Sequence, residues 1–146
     1  KDGCVITDSI GFCELLGRRF PAGEGVPQVI LAGGALDLKA GVVMGSRTER
    51  ILNQYHADAV VFSARGLDEE GCLDTNDDAA GCIRAMIDHA SLVILLADRS
   101  KFGSPAMARV VSWNRIDILI AAATPENREE LRRIARLGVR VVPIGA

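Results

Sequence analysis

Aromatic side chains are scarce in this 146-residue chain. One tryptophan, one tyrosine and four phenylalanines make up 4% of it, against a hydrophobic fraction of 49%. Its core must therefore be built from valine, isoleucine, leucine and alanine, which suits parallel strands covered by helices. Excess charge is missing as well: 17 lysines and arginines face 19 acids for a net charge of −2, leaving no basic footprint for nucleic acid. No apolar run approaches the roughly 20 residues that span a bilayer, and no charged-then-apolar leader opens the chain. The expectation is a cytoplasmic protein with no membrane partner. Cys4, Cys13, Cys72 and Cys82 form no CxxC, and the two histidines, His56 and His89, lie far from either cysteine pair in sequence. No metal site is expected, and cysteines within apolar patterns read as buried thiols. There is also no GxGxxG and no Walker A lysine, which disfavours a dinucleotide or a nucleoside triphosphate. No cofactor is expected.

What is present is an alternation of strand-like and helical patterns over a length suited to one domain, able to bury roughly 70% of its unfolded surface. Cys4-Val5-Ile6-Thr7 reads as a strand, and Asp8 or Ser9 caps a helix whose apolar residues Ile10, Cys13, Leu16 and Phe20 recur at helical spacing. Pro21 to Pro27 reads as a loop, and Val29-Ile30-Leu31 as a second strand. Ser46 is placed as the cap of a short helix, Ala59 to Phe62 as a strand, and the residues from there to Asp74 as a polar turn region. Asn76 or Asp77 caps a helix with Ala79, Cys82, Ile83, Met86, Ile87 and Ala90 on one face, and with Asp77 and Asp78 in the first turn, where the dipole favours acids. Ser91 to Ala97 forms a buried strand and Ile116 to Ile120 another. Thr124 and Pro125 open a helix that Gly138 closes, and Val139 to Val142 ends the set. Strands interleaved with helices indicate βαβ units, hence an α/β fold with a mostly parallel sheet flanked by helices.

The segment Leu95-Leu96-Ala97-Asp98-Arg99-Ser100-Lys101-Phe102-Gly103 carries the sharpest signal, because an apolar run ends abruptly in an acid, a hydroxyl and a lysine. Ligands of open α/β sheets bind outside the carboxyl ends of the strands. Three loops follow predicted strands: Gly33-Gly34, Ser63-Ala64-Arg65-Gly66 and Asp98-Arg99-Ser100-Lys101. In one parallel sheet all three project from a single edge. Glycines admit close backbone approach to a phosphate, Ser63 offers a hydroxyl, and Arg65 and Lys101 supply positive charge. Asp98 is an acceptor for sugar hydroxyls or a group that orients Lys101. The alternatives are that Gly33-Gly34 is an ordinary turn, that Arg65 and Lys101 are simply solvated, and that Asp98 starts a polar loop.

The succession LAGGALDL, GSRTERIL, ADAVVFSARGLDEEG, IRAMIDHASLVILLADRSKFG and IDILIAA resembles, in order and spacing, the effector-sensing domain of the DeoR family of bacterial transcription repressors. The resemblance implies a sensor of phosphorylated sugars or sugar-like metabolites, with a fold similar to ribose-5-phosphate isomerase and the coenzyme A transferases. Family members carry a helix-turn-helix ahead of the sensor, and between the two a strand and loop with a D-x-G-T-T phosphate motif. Neither stands in these 146 residues, which open Lys1-Asp2-Gly3. The expectation is thus a single sensing domain over residues 1–146 without those parts. It would contact DNA only through a domain outside this sequence and assemble as a homo-oligomer, since symmetric operators go with symmetric oligomers.

Two other classes remain in view. A sugar-phosphate isomerase of the same fold needs a general base; the resemblance places that acid where this chain has Ile83-Arg84, and isoleucine cannot take a proton. A structural oligomerisation domain with a dead pocket is the other, since a fold does not guarantee a working site. The reading carried forward is a ligand sensor and not an enzyme.

Overall fold

A computed structural model describes residues 3–20, 25 and 27–145; most of the loop expected at Pro21 to Pro27 lies outside the described residues. The chain falls into two compact units, Lys1–Tyr55 and His56–Ala146.

In the first unit, β1 (Cys4–Thr7) pairs in parallel with β2 (Gln28–Leu31), and α1 (Ile10–Arg19) lies between them in sequence. Ser9, not Asp8, is the N-cap: its hydroxyl accepts the Phe12 N–H at 3.2 Å, satisfying one of the donors a helix start leaves over. The expected stripe of Ile10, Cys13, Leu16 and Phe20 is half-buried while its neighbours are exposed. A hairpin of β3 (Ala35–Asp37) and β4 (Val42–Met44) follows, which has no counterpart in the sequence reading. Asp37 turns the chain between them by accepting the N–H groups of Lys39 and Ala40. Ser46 opens α2 (Ser46–Leu52) but does not cap it; Gly45 holds the cap position.

The second unit contains the larger sheet: β5 (Val60–Ser63), the short hairpin β6 (Gly66–Leu67) and β7 (Gly71–Asp74), α3 (Asp77–Asp88), β8 (Val93–Ala97), β9 (Ala108–Ser112), β10 (Ile118–Ala122), α4 (Arg128–Arg136) and β11 (Arg140–Ile144). Strands β11, β10, β8 and β5 lie side by side in that order, all parallel. A second, antiparallel sheet runs β6-β7-β9. The α/β class expected from composition is thus present.

Strand alternation fixes the core. Val60, Phe62, Val93, Leu95, Ala97, Leu119 and Ala121 are buried, while Val61 and Leu96 between them are exposed, the period of two that a pleated strand imposes. Ile83 and Ile87 of α3 and Leu131 and Ile134 of α4 join the same cluster with Trp113. Each such aliphatic side chain taken fully from water stabilises the fold by about 1.5 to 3 kcal/mol. On α3 Ala80 and Ala85 are buried as well as Cys82, Ile83 and Ile87, while of the expected stripe Ala79 is half-buried and Met86 and Ala90 pack partly buried against the core. Asn76 is its cap, accepting the Asp78 and Ala79 N–H groups. The start of β8 is pinned by Asp117, whose Oδ2 accepts the Val93 N–H at 2.8 Å.

Three expectations fail in this unit. The region from Ser63 to Asp74 is not an open turn but carries β6 and β7, and β9 had no counterpart in the sequence reading. Thr124 and Pro125 do not begin the last helix. Buried Asn127 stands at its N-cap position and folds the preceding turn back: its Oδ1 accepts the Thr124 N–H at 2.9 Å, and its Nδ2 donates to the Ala122 carbonyl at 2.9 Å. Gly138 closes the helix with φ at 97°, a conformation that costs glycine little.

Candidate functional site

Strands β5 and β8 are neighbours, with Phe62 beside Leu95 and Ser63 beside Leu96, so their carboxyl ends open on the same edge. The segments that leave them are stitched together. Leu67 bridges Phe102, and the Gly103 N–H donates to the Leu67 carbonyl at 3.0 Å. Gly66 lies so close to Ser104 that a Cβ there would meet the Ser104 carbonyl oxygen. On the other side, the Arg65 N–H donates to the Leu73 carbonyl at 3.0 Å, which sets Arg65 next to Asp74 at the end of β7.

The result is a cavity of about 250 Å³ lined by Ser63, Ala64, Arg65, Asp74 and Lys101. Three of the residues expected from sequence, Ser63, Arg65 and Lys101, are brought together there. Gly66 and Asp98 are not among the lining residues. Gly66 is buried in β6, where its missing side chain is what lets the two loops pack. Asp98 is fully exposed and caps the short 3-10 turn Arg99–Lys101: its Oδ1 accepts the Ser100 N–H at 2.7 Å. The hydrogen bonds from Ser100 hold its carboxyl below the usual carboxylate range. The turn that Asp98 caps carries Lys101.

Gly33 and Gly34 follow β2 of the two-stranded sheet in the first unit, not a strand of the four-stranded sheet, so the expectation of three loops on one sheet edge holds for two of them. The surroundings of Gly34 explain why glycine is needed there. Buried Thr48 donates its hydroxyl to the Gly33 carbonyl at 2.9 Å, and a Cβ on Gly34 would meet the Thr48 Oγ1 and, at 2.9 Å, the Met44 carbonyl oxygen.

Asp74 was missed in sequence. It is 8% exposed and its Oδ1 accepts the Asn76 N–H at 3.0 Å. The signal lay in Cys72-Leu73, an apolar pair immediately before it, but four residues led by a glycine do not announce a strand.

The cysteines divide. Cys72 and Cys82 are buried as expected, whereas Cys4 is exposed and Cys13 intermediate, and all four are free thiols. Burial, together with the nearby Asp68 carboxylate, pushes the Cys72 thiol up to about 12, so it is an inert core group. Among the described residues no group of three or more histidines, cysteines or acids is placed to hold a metal ion, and no helix is long and apolar enough to cross a membrane. A larger groove of about 770 Å³ runs along α4 and β11, lined by Leu131, Ala135, Val141 and Pro143 with Arg128 and Arg132. Thr124 adds a hydroxyl to its two cations, but among its lining residues there is no carboxylate, which the smaller cavity has in Asp74.

The position where the resemblance places the isomerase acid is held by Ile83-Arg84. Ile83 is buried in the core, and Arg84 donates to the Arg109 carbonyl at 2.6 Å and pairs with Asp77 at 3.3 Å. Neither can act as a general base there.

The chain is 33% identical over 124 residues to the HTH-type transcriptional repressor GlcR of Bacillus subtilis, covering 85% of this chain and 46% of that protein. It is 32% identical over 99 residues to the glycerol-3-phosphate regulon repressor of Escherichia coli K12, covering 67% of this chain and 39% of the relative. It is 30% identical over 118 residues to the L-fucose operon activator of the same strain, covering 80% and 46%. The chain thus spans under half the length of these relatives, all named as transcriptional regulators. The family model described as the DeoR C terminal sensor domain matches residues 2–122, most of the sequence, and the chain belongs to that family.

Proposed function

We propose that this chain is the ligand-sensing part of a DeoR-type transcription regulator, and that a phosphorylated sugar or related metabolite binds the cavity at the carboxyl ends of β5 and β8. One observation carries the reading: two cations from different strand exits, Arg65 and Lys101, line a single small cavity with the hydroxyl of Ser63. A phosphoryl group accepts charge-assisted hydrogen bonds from both. One relative is named a glycerol-3-phosphate regulon repressor, which is compatible with a phosphorylated effector.

Sensing is a matter of linkage. A ligand favours whichever arrangement of the regulator binds it better, and the DNA affinity of the whole protein shifts by that difference. The DNA-reading part is a domain beyond this sequence, the assembly a homo-oligomer matched to symmetric operators, and the compartment the cytoplasm.

Thermal-shift titration of the chain with sugar phosphates and their unphosphorylated counterparts tests the reading, because a ligand specific for the native state raises Tm. Phosphorylated compounds should stabilise it and their counterparts should not. Lys101→Ala should weaken binding about ten- to a hundredfold, the weight of a charge-assisted contact, with little change in the Tm of the unliganded protein. If no phosphorylated compound stabilises the chain, or Lys101→Ala leaves affinity intact, the reading is wrong.

A further inference from the structure

We infer that Asp74 is a specificity-determining residue of this cavity, restricting it to phosphates whose carbon skeleton carries hydroxyl groups. The inference rests on the proposed phosphate site and adds the part of the ligand that the cations do not read.

Charge comes first. The cavity holds one carboxylate against two cations, and a phosphoryl group is repelled by the first while it is drawn to the other two. An anion therefore settles against Arg65 and Lys101 and leaves the Asp74 end for a different chemistry. A carboxylate is an acceptor only; it wants a donor, and the hydroxyls of a polyol are donors.

Burial makes that demand strong. Asp74 is 8% exposed. Its Oδ1 is occupied by the Asn76 N–H, whereas Oδ2 accepts no hydrogen bond among the described residues. A ligand that reaches the carboxylate without offering a donor strips its remaining water and returns nothing, the situation in which polar sites discriminate most sharply.

Size sets the scale of the ligand. At about 250 Å³ the cavity is smaller than the roughly 300 to 1,000 Å³ typical of drug-sized ligands. A phosphoryl group with a short hydroxylated chain is of that order. The ligand class is then a small polyol or sugar phosphate, with the phosphate at Arg65 and Lys101 and a hydroxyl donating to Asp74.

The test is a calorimetric binding series on the wild-type chain with polyol and sugar phosphates of three to six carbons, alkyl phosphates of matched length such as propyl phosphate beside glycerol 3-phosphate, and inorganic phosphate. Wild type should prefer the best hydroxylated phosphate over its alkyl counterpart by about tenfold or more. Asp74→Asn keeps an oxygen for the Asn76 N–H and removes the charge. It should shrink that preference to about threefold or less while inorganic phosphate binds as well as before or better. Asp74→Ala should do the same, and Tm measured on each variant confirms that it is folded. Lys101→Ala should instead weaken every phosphate, hydroxylated or not. A wild-type preference that survives in folded Asp74→Asn and Asp74→Ala overturns the role given to Asp74 and leaves the phosphate site standing. Failure of every phosphate to bind wild type removes the phosphate site itself, and the inference with it.

Discussion

Arg109 grips Asp68 with both terminal nitrogens, Nη1 to Oδ1 at 2.7 Å and Nη2 to Oδ2 at 3.0 Å. The pair joins β9 to the turn between β6 and β7. The same turn is held from other sides: Asp68 Oδ1 accepts the Glu70 and Gly71 N–H groups, its backbone carbonyl accepts Trp113 Nε1–H at 3.0 Å, and Arg133 donates to the Glu69 carbonyl at 2.9 Å. Arg109 also reaches Glu70 at 2.9 Å. This brace holds the hairpin whose two ends present Arg65 and Asp74.

The brace should be visible in the acid limb of stability. Hydrogen bonding from Arg109, with help from the Glu70 and Gly71 amides, holds the Asp68 carboxyl below its ordinary value. A depressed carboxylate contributes stability that is present above its unfolded pKa, near 4, and is lost as pH falls through the lower folded value. Asp68→Asn should therefore destabilise the protein at pH 7 by roughly 1 kcal/mol, the modest figure that suits a pair more than a third exposed. The difference from wild type should narrow below about pH 4. Urea unfolding at pH 7 and pH 3 measures both, and an undiminished difference at pH 3 would count against the charge argument.

How much was legible in the sequence depended on contrast. The long apolar run from Leu92 to Ala97 between polar ends marked β8 and delivered Lys101, and Asn76 ahead of two acids marked α3. The hairpin β6-β7 was hidden because its strands are two and four residues long, each begins with a glycine, Gly66 and Gly71, and a polar turn through Asp68 joins them. Such pairing is set by partners far along the chain, Arg109 and Trp113, and not by local periodicity. Asp74 was lost with it. The start of α4 misled for another reason: Thr124-Pro125 is a sound cap signal, but buried Asn127 offers the turn a carbonyl and an amide, and the helix begins after it. Arg133 likewise follows Glu129 by four residues, a spacing that suits a helical ion pair. It lies against Glu130 at 3.6 Å and spends its donors on backbone carbonyls 64 and 65 positions away.

Two glycine substitutions should separate packing from propensity. At Gly66 an added Cβ would run into the Ser104 carbonyl group, with Ser104 C at 3.2 Å, so one backbone segment must move. Gly66→Ala should cost about 1 to 3 kcal/mol, and because the displaced segment follows Lys101 it should also weaken phosphate binding. Gly17 in α1 has nothing within 4 Å of its would-be Cβ, so Gly17→Ala should stabilise by up to about 1 kcal/mol and leave binding alone. Equal effects of the two changes on Tm would mean that the close approach at Gly66 does not matter.

The separation of a sensor from an enzyme with a similar cavity rests on one missing group. Aldose–ketose interconversion moves a proton between adjacent carbons, and a positioned base contributes typically 10²- to 10⁴-fold to such a step. The resemblance puts that base at Ile83, which is 9% exposed within the core, while the one carboxylate lining the cavity is Asp74. Incubation of the chain with ribose 5-phosphate and other aldose and ketose phosphates should therefore give no interconversion above the uncatalysed rate. The assay also guards the assignment of Asp74: turnover that disappears in both Lys101→Ala and Asp74→Asn would make Asp74 a proton acceptor and the cavity an active site. Phosphate binding without turnover keeps the cavity a binding site, and the hydroxyl preference of Asp74→Asn and Asp74→Ala then decides whether Asp74 accepts a ligand hydroxyl.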